Sequence, residues 1–284
     1  MKYHKILNNF FQGFCCAKSY AEKHKIDLVP PAEENFMPTI VNNRIGYIVA
    51  TCSPPTKAHI ELANKSVIDL NLDALYFIIW PFHYISGFHS TNMLDWVSEQ
   101  KHYSWDIRVA LLKLAIREFG NNKIKVLDAT KEWYKESEKE FDYNNKRSYF
   151  WTGSWYVIRR LQSVLDEKIN GNNNISYYFI SGSDQFNPNI YALINDGTEK
   201  IWKDYSIAEH LALHNYYAVD RGNIEFFMPP NCIKNKIIFS NKLKYTDLSA
   251  TKVRFSKNLQ LLKNICLPTV ANKIIEKNLW GYKA

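Results

Sequence analysis

Thr56 and His59 stand three positions apart in "ATCSPPTKAHIELA", directly after the apolar run "RIGYIVA". From Ile60 onward the apolar residues take helical spacing, at Ile60, Ala63, Val67 and Leu70. Thr56 therefore falls just before a helix and His59 in its first turn. The first N–H groups of a helix lack partners and its positive end favours anions. A hydroxyl and an imidazole at that point add two side-chain donors for a phosphate oxygen. The plainer account is that Thr56 only caps the helix, a common task for threonine.

Three further stretches carry related chemistry. "SGSDQF" follows the apolar run "ISYYFI"; Gly182 lets backbone approach a ligand closely, and Asp184 can accept from a pair of ribose hydroxyls. Both are also ordinary turn residues. In "DLSATKVR", Ser249 or Thr251 could cap a helix whose first turn presents Lys252 and Arg254, cations that suit phosphate. Trp202 precedes an amphipathic stretch, and the apolar run after it ends at Arg221; an indole there can stack on a heteroaromatic ring or simply pack.

Positioning these loops requires a scaffold, and the chain from residue 44 supplies one. Short β-branched and aromatic runs occur at Arg44–Ala50, Asp73–Trp80, Lys123–Leu127, Ile175–Ile180, Tyr216–Val219 and Lys236–Phe239. Between most of them lie segments of helical period, among them the one with Ile107, Ala110, Leu111, Leu114 and Ala115, and "WYVIRRLQSVLDEKI". Runs apolar on both faces read as strands buried in a parallel sheet, with helices as crossovers. The expectation is an α/β doubly wound, Rossmann-like fold over residues 43–284, with ligands outside the carboxyl ends of the strands. Residues 1–42 read as a helical extension, roughly Ile6 to His24, and a Pro-containing linker. The stretch 81–104 is too long for an ordinary connection and reads as a substrate-side loop.

Composition narrows the classes. The chain has 284 residues, 46% hydrophobic and 15% aromatic, enough for a folded core rather than a disordered segment. Its apolar runs fall well short of the roughly 20 residues that cross a bilayer, and polar Asn8, Asn9 and Gln12 interrupt any export signal. Five cysteines without a CxxC pair read as free thiols suited to the cytoplasm. The net charge of +8 is spread among 28 acidic residues with no dense basic run, which argues against nucleic acid and fits attraction of a nucleotide. The sequence leaves homo-oligomerisation open.

Taken together, these segments resemble the nicotinamide or nicotinate mononucleotide adenylyltransferases of the HxGH nucleotidylyltransferase superfamily. "TKAH" is similar to the family's (H/T)xxH, "SGSD" to GxD, "IWK" with the later "VDR" to its LWK segment, and "LSATKVR" to ISSTxxR. "RVALLKLA" is similar to the early helix with RxxMxxLA, and "LPTVANKIIEKNLWG" to the closing helix. The resemblance covers about residues 44–282. It implies a nucleotidyltransferase that transfers the adenylyl group of ATP to a pyridine mononucleotide, releasing pyrophosphate, with Mg2+ bridging the ATP phosphates.

Carried over residue by residue, the resemblance implies that His59 holds the α-phosphate and Thr56 donates to the phosphates. Thr51 and Cys52 would join them at ATP. Gly182 and Asp184 would receive the ATP ribose, and Arg254, with Ser249, Thr251 and Lys252, would grip the β- and γ-phosphates. Trp202 would stack on the pyridine ring, with Arg221 and Trp133 also at the mononucleotide. Departures from the pattern are Ala50 in place of a glycine, Ser53 in place of Asp or Asn, and "DATKEW" where a Trp-Glu pair is usual. Alternatives are a same-fold nucleotidyltransferase with another phosphate acceptor and a catalytically silent nucleotide-binding module.

Overall fold

Each of the six apolar runs forms a strand. The computed structural model describes residues 37–81, 101–119, 122–140, 149–168, 175–182, 215–220, 237–240, 243–245 and 248–283. In chain order the elements are β1 (Arg44–Ala50), α1 (Lys57–Asp69), β2 (Ala74–Ile79), α2 (Trp105–Phe119), β3 (Ile124–Val126), α3 (Thr130–Glu140) and α4 (Tyr149–Lys168). There follow β4 (Ser176–Gly182), β5 (Asn215–Val219), β6 (Ile237–Ser240), α5 (Ala250–Ser256), α6 (Leu259–Ile265), α7 (Pro268–Glu276) and a 3₁₀ turn (Leu279–Gly281). The expected helix near the N-terminus and most of the expected substrate-side loop lie outside the described residues.

The strands form one parallel sheet in the order β3-β2-β1-β4-β5-β6. The chain winds from β1 outward through β2 to β3, then returns to the other side of β1 for β4. The reversal between β1 and β4 opens the crevice where doubly wound sheets bind ligands.

Burial on both faces explains the run-like strand sequences. All six residues of β2 are buried. Because side chains alternate, Leu75, Phe77 and Ile79 face a core shared with Ile60 and Ala63 of α1, Leu111 and Ala115 of α2, and Val270 and Ile274 of α7. Ala74, Tyr76 and Ile78 face a second core with Tyr134 of α3 and Val157, Leu161 and Leu165 of α4. At Gly46 the layers approach so closely that a Cβ would stand 2.6 Å from both Ile180 Cδ1 and Leu72 Cδ1. Asp73, expected to open the second strand, instead accepts the N–H groups of Asn42 and Arg44 and so fixes the entry to β1.

The C-terminal segment closes over the first core. Pro268 starts α7, and the helix buries Val270, Ala271 and Ile274 on one stripe. Beyond it, Trp280 meets Tyr103 edge-on with centroids 4.6 Å apart and donates from its indole to Lys101 O at 2.8 Å. Tyr282 then donates its hydroxyl proton to Val253 O, inside α5, at 2.8 Å.

Candidate active site

The loop Thr51–Pro55 leaves β1 at the switch point and delivers the chain to α1. Cys52 takes a left-handed backbone, φ 45°, which turns the strand away from the sheet. Ala50, where a glycine was the family expectation, lies in the regular ladder opposite Ile79, and its carbonyl accepts from Trp80 N–H. The left-handed position in this loop thus belongs to Cys52. Its side chain is fully buried, so only its backbone can reach a ligand. Burial pushes the thiol up to about 12, although the nearby Arg108 charge acts to lower it.

Thr56 is the N-cap of the 13-residue helix α1 and is 1% exposed; His59 is at N3 and half-buried. The imidazole occupies the place of the acidic residue in a capping box. Its Nδ1 accepts from Thr56 N–H at 3.1 Å and lies 2.7 Å from Thr56 Oγ1. A backbone N–H can only donate, so Nδ1 carries the lone pair and, in the neutral ring, Nε2 carries the proton. His59 is thereby held as an Nε2–H donor at the positive end of a helix. No acidic residue occupies the first turn to compete for that potential. The capping contact posed from sequence is present, and it leaves the Nε2 proton outside that contact.

Arg254 comes to the same loop from far along the chain. It is 4% exposed, and its guanidinium donates to Ser53 O at 2.7 Å and to Thr251 Oγ1 at 3.0 Å. Burial pushes its pKa down to about 10, which leaves it cationic at neutral pH. The expectation that Arg254 and Lys252 are displayed alike in a first turn is corrected here. Arg254 sits near the end of α5 and points inward, whereas Lys252 and Thr251 are exposed. Ser249 is the N-cap of α5, with no hydrogen bond from its side chain to the helix end.

Gly182 ends β4 and is buried, across the switch point from the β1 loop. Beside it Ser181 Oγ, like Ser53 Oγ in the loop after β1, is buried with no hydrogen-bond partner among the described residues. Trp133 lies in α3, half-buried against the second core, on the sheet face opposite α1. Asp184, Trp202 and Arg221 lie outside the described residues.

Sequence reasoning gave Arg108 no role, yet it organises the site floor. Fully buried in α2, it donates to Tyr103 O at 2.9 Å, Thr51 O at 2.6 Å and Trp80 O at 2.5 Å. One guanidinium thus ties the exit of β1 to the exit of β2. The signal was present: Arg108 shares a helix stripe with Leu111, Leu112 and Ala115, where an apolar residue would be ordinary.

No protein-family model and no curated protein matches the chain. Among solved structures, a nicotinic acid mononucleotide adenylyltransferase of Plasmodium falciparum complexed with NaAD matches with a TM-score of 0.52 at 16% identity. The match covers 84% of this chain and 98% of that one. The chain shares the fold of this adenylyltransferase. A second structure of a Plasmodium falciparum nicotinic acid mononucleotide adenylyltransferase, complexed with APC, gives a TM-score of 0.45 at 19% identity over the same shares of the two chains. The shared fold fits the Rossmann-like expectation and the crevice between β1 and β4. Among the described residues no helix is long and apolar enough to cross a membrane.

Proposed function

We propose that the protein is a nucleotidyltransferase that moves the adenylyl group of MgATP onto the 5′-phosphate of nicotinate or nicotinamide mononucleotide. The observation that carries this reading is His59: its tautomer is set by Thr56 N–H, and its Nε2 proton sits at the start of α1 with Arg254 joined to the same loop. In the reaction a phosphate oxygen of the mononucleotide forms a bond to the α-phosphorus of ATP. The bond from that phosphorus to the β-phosphate bridging oxygen breaks, and pyrophosphate leaves with the electron pair.

No covalent enzyme intermediate is required. Chemistry of this kind depends on alignment and on stabilising charge that builds on the α-phosphoryl oxygens. In this proposal His59 Nε2–H and the first amides of α1 bind those oxygens, and the Arg254 cation strengthens the field around them. Magnesium travels with ATP, bound mainly by its phosphates and water, and so needs few protein ligands. Gly182 leaves room for backbone to approach the ATP ribose. Asp184 would hold the ribose hydroxyls, and Trp202, Arg221 and Trp133 would meet the mononucleotide.

The test is pyrophosphate release by purified protein with magnesium, ATP and each mononucleotide in parallel, with the dinucleotide identified as product. No product with either acceptor refutes the pyridine assignment. ATP binding without pyrophosphate release would identify a nucleotide-binding module instead. Thermal stabilisation by some other phosphate acceptor would point to a different nucleotidyltransferase of the same fold.

A further inference from the structure

We propose that Glu61 is a positioning residue that sets where Arg254 stands relative to His59. This rests on the reading of the β1–α1 loop as an anion site. Lys57, Glu61, Lys65 and Asp69 recur every four residues along α1 and so share one helix face. That face meets the C-terminal third of the chain. Asp69 accepts from the hydroxyls of Tyr217 in β5 and Ser240 in β6 and pairs with Lys65 at 3.0 Å. Lys57 Nζ donates to Lys263 O at 3.0 Å and Asn264 O at 2.9 Å, satisfying carbonyls at the end of α6.

Glu61 makes the contact that bears on the site. Its Oε1 accepts from Lys244 N–H at 2.7 Å and its Oε2 from Tyr245 N–H at 3.0 Å. Two successive amides aimed at one carboxylate fix the backbone of that turn, which leads within a few residues to Ser249 and α5. The helix that carries His59 therefore grips the Arg254 segment on both sides: Glu61 before α5, and Lys57 after it, at the end of α6. Arg254 completes the ring by donating to Ser53 O, in the loop before α1. Glu61 and Lys57 touch no reacting atom in the proposed reaction; they register Arg254 against His59.

Glutamine at position 61 keeps the shape but has a single acceptor oxygen, and its NH2 would face an amide N–H. Glu61→Gln should weaken MgATP binding by isothermal titration about ten-fold, the scale of one charge-assisted hydrogen bond. The KM for the mononucleotide should stay within about two-fold, because the contact is lost only on the Arg254 side. In an Arg254→Ala background the same substitution should change MgATP affinity less than about two-fold, the non-additivity expected when one residue acts through another. Circular dichroism establishes that each variant is folded, and a reversible urea transition gives its stability.

A lowered urea midpoint with unchanged MgATP affinity would make Glu61 purely structural and overturn the assignment. So would a full, additive loss in the Arg254→Ala background. Wild-type protein that binds no MgATP overturns the anion-site reading itself, a result distinct from either of these.

Discussion

Replacing Arg108 by lysine keeps the positive charge and removes the geometry. In the native chain the guanidinium reaches three carbonyls on three segments: Tyr103 before α2, Thr51 after β1 and Trp80 after β2. A compact ammonium on a flexible stem cannot span all three, and at best it serves one of them well. Two charge-assisted hydrogen bonds are then lost in a fully buried site, at about 1.5–3 kcal/mol each, for an expected loss of about 3–6 kcal/mol. Against a typical domain stability of about 5–15 kcal/mol this leaves a marginal fold. Urea unfolding followed by far-ultraviolet circular dichroism and tryptophan fluorescence would measure it. A loss below about 1 kcal/mol with an unchanged denaturant slope would show that the three bonds do not hold the strand exits. Arg108→Met separates donors from charge, because it deletes both the bonds and the cost of burying a cation. Methionine less damaging than lysine would assign the penalty to the stranded charge rather than to the missing donors.

His59→Ala should lower pyrophosphate release about 100- to 1000-fold, the usual effect of removing one transition-state donor, with a stability change below about 2 kcal/mol for the lost capping contact. Equal turnover by the variant would remove His59 from the chemistry. Gly46→Ala should cost about 1–3 kcal/mol through overpacking against Ile180 and Leu72, measured by the same urea transition; a neutral result would mean those side chains move aside freely. Stability should fall as pH rises from about 9, the ordinary thiol value, to about 12, because burial raises the thiols of Cys52 and Cys266 to about 12. Folding holds the protons on, so this stabilisation is complete below the unfolded pKa and is lost as pH climbs through the folded one. Urea midpoints at several alkaline pH values test it, and a flat profile across that window contradicts the burial of the two thiols.

The scaffold was legible because it is written in side-chain types at short range. Runs such as "ALYFII" are apolar on both faces, which only a doubly covered sheet accommodates, and β1 spans the same residues, Arg44–Ala50, that its apolar pattern marks out. Thr56 and His59 were legible for the same reason: a cap and its third residue are neighbours in sequence. The contacts that assemble the site were not, since Arg254, Arg108 and Glu61 all bind backbone groups. Every residue carries a carbonyl and nearly every one an N–H, so a side chain that seeks one leaves no matching partner type elsewhere in the sequence. Trp133, which the family resemblance places at the mononucleotide, is half-buried beside the second core, a placement that its sequence neighbours do not announce.

The bond from Tyr282 to Val253 has a consequence for how the chain is made. His59 belongs to the first helix of the sheet domain, yet the segment bearing Arg254 is fastened by residues that emerge from the ribosome long afterwards. The first core can begin to collapse around β1, α1 and β2 during synthesis, while the bond from Arg254 to the β1–α1 loop waits for Trp280 and Tyr282 to dock. A nascent chain therefore passes through a stage with His59 in place and Arg254 undelivered, so translation arrested before residue 280 should yield a sheet whose β1–α1 loop lacks its Arg254 bond.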